Sequence, residues 1–321
     1  MSTLPALASV ASVPVALAPE LAAAVEYAKA EKSPATRRAY GTDFRLFRAW
    51  CEEKATEALP ALPETVAAYL AHGVEEGAKA STLGRRLAAI RYAHKLASLP
   101  TPTDAEAVKA TLRGIRRTIG AAKVKKAPAV TSHIKAMAAA CSASLAGKRD
   151  RALLLLGFGG AFRRSELVAL DVEHLEETSE GLLVLIAKSK TDQDAEGVTI
   201  AVARGSSEAC PVAALRDWLD AAGIEAGPVF RPINKAGVVS AERLTDRSVA
   251  NIVKAYAGLA GLDEKLFSGH SLRRGFLTSA AAAGKSIFRM KDVSRHKSVD
   301  TLAGYIQEAE LFKEHAGAGL L

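Results

Sequence analysis

The sequence predicts a mainly α protein with a small β component, in which a helical amino-terminal domain precedes a mixed α/β domain. Three observations lead there. Apolar residues recur at helical spacing through most of the first 120 residues. The stretch AAKVKKAPAV that follows is rich in lysine, carries a proline and has no apolar periodicity, so it reads as an interdomain linker. Beyond it, LLVLIAK and GVTIAVA flank SKTDQDAE as a short β hairpin among further helices. A chain of 321 residues is long enough for two ordinary cores. The expected boundaries are a flexible tail over 1–18, a helical domain over 19–122, a linker over 123–130 and a second domain over 131–321.

In the first domain, Ser33 stands as N-cap and Pro34 at the first helical position of SPATRRAYGTDFRLFRAWCEEK, with Tyr40, Phe44, Phe47 and Trp50 on one face. A second helix begins at Pro63 and stops near Gly73 or Gly77. A third, Ser81 to Leu99, sets Leu83, Leu87, Ile90 and Ala93 against Arg85, Arg86, Arg91 and Lys95, a basic side dense enough for a DNA major groove. Pro100 and Pro102 break the chain, and TDAE from Thr103 to Glu106 predicts a capping box for a helix ending near Gly120. In the second domain, helices are expected at Ser132–Ala143 and Arg149–Phe158, with another starting near Arg164. Four more follow the hairpin, at Pro211–Ala221, Thr245–Ala260, His270–Ala283 and Ser286–Val293.

The formal charge of +8 and pI near 9.4 point to a polyanionic partner. Residues 1–130 hold 19 Lys and Arg against 12 Asp and Glu, and the remainder 24 against 23, so the electrostatic grip is expected in the first part. Cys51, Cys141 and Cys210 form no CxxC or Cys/His spacing, which argues against a disulfide framework or a zinc site and fits a reduced, cytoplasmic setting. The opening LPALASVASVPVALAPE imitates a signal peptide, but no Lys or Arg precedes it and Pro5 and Pro14 interrupt it. The longest apolar run, Ala152 to Phe162, is too short to span a bilayer and is expected as a buried helix.

The chemistry gathers between Gly269 and Ile306, where GHSLRRGF and SRHKSVDTLAGYI carry His270, Arg273, His296 and Tyr305. A phenol, two imidazoles and a guanidinium suit attack on a phosphodiester, since the cations neutralise the phosphate that the tyrosine approaches. Taken singly, each has a structural explanation as a surface pair, a helix cap or a core residue. The order and spacing of the set decide otherwise. With GAFRRSEL (Arg163, Glu166) and SKTDQ (Lys190), the sequence resembles the tyrosine recombinase, or phage integrase, family. That family carries an arginine in a GxRxSEL type segment, a hairpin lysine, an HxxR box, a His or Trp, and a tyrosine nine residues later. Lys188 lies on the same hairpin, and Lys190 is chosen for its place in the SKT turn. The family often has Leu and Gly before its penultimate histidine; Ser294 and Arg295 stand there, which argues against a tight backbone turn. The amino-terminal helices look like the core-binding domain of Cre and its relatives.

The resemblance implies transesterification without metal, ATP or other cofactor. Tyr305 attacks the scissile phosphate and leaves a 3′ phosphotyrosine, Arg163 and Arg273 hold the nonbridging oxygens, and His296 donates to them. His270 handles the tyrosine proton, Lys190 protonates the departing 5′ oxygen, and Glu166 orients Arg163 or a neighbouring histidine. The implied partners are duplex DNA with an inverted-repeat target and further copies of the chain, a tetramer when two duplexes are joined, with no membrane. Arg37, Arg38, Arg85, Arg86 and Lys125 are the expected DNA contacts, with Arg85 or Arg86 reading guanine edges. The carboxy-terminal segment is either an exchange element for a neighbouring subunit or packed on its own domain. A type IB topoisomerase and an inactive DNA-binding protein remain as alternatives.

Overall fold

The computed structural model describes residues 31–120, 126–187, 197–296 and 298–309, with isolated positions between 20 and 27. The expected tail, Lys125, Lys188, Lys190 and the last twelve residues lie outside the described residues. The chain divides into two compact units, Met1–Val124 and Lys125–Leu321. No helix among the described residues is long and apolar enough to cross a membrane.

The first unit contains helices α1 (Pro34–Glu53), α2 (Pro63–Glu75), α3 (Ala80–Leu96) and α4 (Glu106–Ile119). Ser33 Oγ accepts from the Thr36 amide at 3.2 Å, so α1 starts where the Ser-Pro pair predicts. Phe44, Phe47 and Cys51 bury one face of α1 against Leu83, Ile90 and Ala93 of α3, while Tyr69 and Leu70 of α2 join Val108 and Leu112 of α4. Each fully buried large apolar side chain contributes about 1.5–3 kcal/mol. Helix α2 runs through Gly73, where a Cβ would come within 2.5 Å of Leu83 Cδ2, and stops before Gly77.

The capping box predicted at Thr103 does not form. Thr103 is fully buried, and its hydroxyl accepts from Arg91 Nε at 2.9 Å while Arg91 Nη2 donates to Asp104. That grip winds Pro102–Asp104 into a 3-10 turn, and α4 starts after Ala105 with no side-chain cap.

His94 is also fully buried, with Nε2 accepting from the Ala61 amide at 3.0 Å and Nδ1–H donating to Ile90 O at 2.9 Å. Burial lowers its pKa, against the opposing pull of the Ile90 carbonyl. The unfolded chain takes up this proton near pH 6.5 and the folded one resists it. The stabilisation is therefore complete above that pH and is lost as pH falls toward the folded value, by at most about 1.4 kcal/mol per pH unit. His94→Gln, which keeps an acceptor for the Ala61 amide and cannot titrate, flattens the fall in melting temperature between pH 7 and pH 5. An unchanged slope would place the acid sensitivity elsewhere.

The second unit is built on helix α6 (Leu145–Gly159), preceded by α5 (Thr131–Ala139). Ala152 to Leu156 are all buried, because α5, α8 (Pro211–Ala222) and α10 (His270–Ala282) pack around α6. The apolar run ends as helix at Gly159, and residues 160–163 turn into the short helix α7 (Arg164–Val168). The sheet has strand order β1 (Leu175–Glu177), β2 (Gly181–Ile186), β3 (Val198–Ala203), all antiparallel. Leu182, Val184 and Ile186 face inward opposite Val202, Ile200 and Val198, and only Val198 of these six stays exposed. Helices α9 (Asp246–Leu259), α11 (Ile287–Ser294) and α12 (Val299–Ala309) complete the unit.

The described part of the expected linker, residues 126–130, is bound to this unit. Ala127 N donates to Leu266 O at 2.8 Å, Ala129 N to Ser271 O at 3.0 Å, and Arg274 to Lys126 O at 2.6 Å. The segment crosses α10 at Gly275, where a Cβ would lie 1.9 Å from Ala129 O. Only glycine admits that crossing.

Candidate active site

Arg163 sits just before α7, and its amide donates to Glu166 Oε2 at 2.8 Å while its guanidinium donates to Glu166 Oε1. Glu166 is 2% exposed. Burial alone would raise its carboxyl pKa, but Arg295 and then the backbone and side chain of Arg163 outweigh burial and hold it below the ordinary value. Glu166 therefore stays an anion that orients arginine.

Arg273 lies one turn into α10 and is 1% exposed. Its Nη1 donates to Ala161 O at 2.8 Å, and Nη2 reaches His296 Nδ1 at 3.3 Å. No carboxylate among the described residues forms an ion pair with it. Burial, then Arg163 and Arg295, pushes its pKa down to about 9, so it remains charged at neutral pH. A buried guanidinium whose hydrogen-bond partners among the described residues are a carbonyl and an imidazole suits an anion that arrives with the substrate.

His296 is half-buried, and its pKa is pushed down to about 4 by burial and by Arg273, Arg163, His270 and Arg295. The neutral ring is held by Arg273, whose Nη2 lies 3.3 Å from Nδ1 and 3.5 Å from Nε2, and by Ser294 Oγ, 2.8 Å from Nδ1. His270, the first residue of α10, keeps an exposed face; burial and the guanidiniums of Arg273, Arg163, Arg164 and Arg274 lower its pKa, which makes it a neutral base at pH 7. Tyr305 lies on α12 with its ring half-buried beside Leu277, Ala281, Met290 and Leu302. Its phenol is close enough to act electrostatically on Arg273.

Five of the six expected catalytic positions are thus brought together in the second unit, and the sixth, Lys190, is among those not described. The structure adds to the site two residues that the sequence marks only as departures from the family's pattern. Arg295 has φ 56° and ψ 39°, so the tight left-handed turn argued against from its identity is present without glycine. Ser294, fully buried, fixes His296. The signal available was their place directly before the penultimate histidine.

The expected DNA contacts fare unevenly. Arg38 is exposed and Arg37 half-buried, and neither pairs with a carboxylate among the described residues. Arg85 grips Asp43 with Nε at 2.7 Å and Nη2 at 3.1 Å, and Asp43 is 2% exposed. The guanidinium of Arg86 lies 5.7 Å over the Tyr69 ring. Both arginines chosen as base readers are engaged inside their own unit, because α3 packs its basic side along α1 and α2. Arg85→Ala accordingly destabilises the first unit by about 1–2 kcal/mol, a low value for a severed charge pair because half of the guanidinium faces water. Thermal melting measures this, and a variant with native melting that loses base discrimination would restore Arg85 as a reader.

Comparison with known proteins bears on the chain as a whole. Residues 130–311 match the phage integrase family and residues 25–98 its N-terminal SAM-like domain. An integrase/recombinase XerD homolog of Selenomonas ruminantium is 42% identical over 293 residues, which is 89% of this chain and 86% of that protein. The Cre recombinase of Escherichia phage P1 is 25% identical over 286 residues, 83% of this chain and 82% of Cre. Among solved structures, the XerH site-specific recombinase bound to palindromic difH substrate superposes with a TM-score of 0.59 at 15% identity, covering 86% of this chain and 77% of that one. The match over residues 130–311 and the 42% identity across most of both chains place the chain in the phage integrase family, the tyrosine recombinases that cleave and rejoin DNA strands.

Proposed function

We propose that this chain recombines duplex DNA at a specific site through a 3′ phosphotyrosine on Tyr305. The observation that carries the reading is Arg273, a cation 1% exposed with no carboxylate in ion-pairing reach among the described residues. A phosphate completes it. In this reading the Tyr305 oxygen forms a bond to phosphorus as the bond from phosphorus to the 5′ oxygen breaks. His270 takes the phenolic proton and Lys190 gives one to the leaving oxygen. Arg163 and Arg273 hold the nonbridging oxygens by charge-assisted hydrogen bonds, and His296 adds a third donor.

Arg37, Arg38 and Lys125 are assigned to phosphate contacts, which position the duplex without reading it. The target is an inverted repeat, gripped by the helical and catalytic parts of each chain, and four chains join two duplexes. The reading is tested on duplexes drawn from DNA flanking the coding region and nicked beside the scissile phosphate, so that cleavage is trapped. A protein–DNA adduct stable to denaturation, with the nucleotide on the peptide containing Tyr305, is the expected result. An adduct on another peptide, or none on any flanking repeat, overturns the assignment.

A further inference from the structure

Arg295 occupies a backbone conformation that L-residues with long side chains rarely adopt, immediately before His296. Such a residue persists where its surroundings over-determine it. Here they do. Its guanidinium donates to Glu166 Oε2 at 2.7 Å, to Val293 O at 2.5 Å, and to Gly160 O and Ala161 O at 3.3 Å each. It also lies 5.5 Å over the Phe162 ring, and its side chain is 7% exposed.

Glu166 is the other half of the device. It takes Arg163 through both backbone and side chain, and takes Arg295 through the remaining lone pair of Oε2. One carboxylate therefore links the turn before α7, which carries Arg163, to the turn after α11, which carries His296. The Ala161 carbonyl makes a second link, since it accepts from both Arg273 and Arg295. Three guanidiniums around one carboxylate leave two net positive charges, and without Arg295 only one would remain.

We propose that Arg295 is a positioning residue for strand cleavage: it locks the His296 turn onto Glu166 and shares that carboxylate, so that Arg163 faces the phosphate with its charge incompletely neutralised. The proposal rests on the phosphotyrosine reading above. It predicts an effect on the chemical step and little on DNA affinity, which many phosphate contacts outside this pocket supply.

The test uses the full chain and the nicked duplex, with single-turnover adduct formation, dissociation constant and melting temperature measured for Arg295→Gly, Arg295→Asn and Arg295→Lys. Glycine relaxes the left-handed backbone and asparagine tolerates it, but both lose the guanidinium. Both are expected to slow adduct formation by about 10- to 100-fold with DNA affinity near that of the unsubstituted chain, and to melt lower because a buried ion pair and its carbonyl contacts are lost. Lysine keeps the charge without the planar fork and recovers part of the lost rate. Arg295→Gly at the unsubstituted rate would overturn the proposal. So would parallel losses of rate, affinity and melting in Gly and Asn with no recovery in Lys, which mark a purely structural residue. If the unsubstituted chain forms no adduct, the phosphotyrosine reading falls and this inference with it; if it does, only the role of Arg295 is at stake.

Discussion

Tyr305→Phe yields no covalent protein–DNA adduct, a loss of at least about 10⁴-fold, while the protein folds and binds DNA as before. Only a hydroxyl is removed, and the ring keeps its half-buried seat beside Leu277, Ala281, Met290 and Leu302 on α10, α11 and α12. Denaturing electrophoresis of the nicked-duplex reaction measures the adduct, and mobility shift measures binding. An adduct that persists would move the nucleophile elsewhere. Tyr256 is the next tyrosine to test, yet burial, then Asp150 and Cys141, pushes its phenol well above the ordinary value, which makes it a reluctant donor of the required phenolate.

Lys190→Ala slows cleavage of ordinary DNA by about 10²–10⁴-fold and recovers on DNA whose scissile 5′ bridging oxygen is replaced by sulfur. The reason is the leaving group. An alkoxide departs poorly unless protonated, whereas a thiolate departs without an acid. Arg163→Ala shows no comparable rescue, because its partner is the nonbridging charge, which the sulfur leaves unchanged. Lys188→Ala distinguishes the two hairpin lysines. Rescue of that variant instead, with Lys190→Ala near the unsubstituted rate, would move the general acid by two residues; no rescue in either would remove the hairpin from the leaving-group step.

Local chemistry was legible in the sequence wherever the deciding partners lie close along the chain. Ser33 and Pro34 start α1 as read, and the face with Phe44 and Phe47 becomes the core of the first unit. The apolar runs in LLVLIAK and GVTIAVA give β2 and β3, whereas β1, only three residues long, offers too short a pattern to recognise. Distance along the chain hid the rest. Arg85 looked free because Asp43, its partner, is 42 residues away. The capping box at Thr103 gave way to Arg91 on the preceding helix. At Arg295 the residue type argued against a left-handed turn, and the turn is held by Glu166, 129 residues upstream. A backbone rule read locally yields to a buried ion pair that no short window contains.

The binding of residues 126–130 across α10 bears on how relatives of this chain can trade parts. Lys126, Ala127 and Ala129 bond to Arg274, Leu266 and Ser271, and the crossing at Gly275 is two residues from Arg273. A chimera joined at residue 131, where the helical pattern of the second part resumes, would inherit α10 from one parent and its backbone partner from the other. The glycine that makes room and the strand that fills it belong to a single module. Recombination between homologues that preserves catalysis is therefore expected to break before Lys126, and the heritable catalytic unit includes five residues that the sequence alone assigns to the connection.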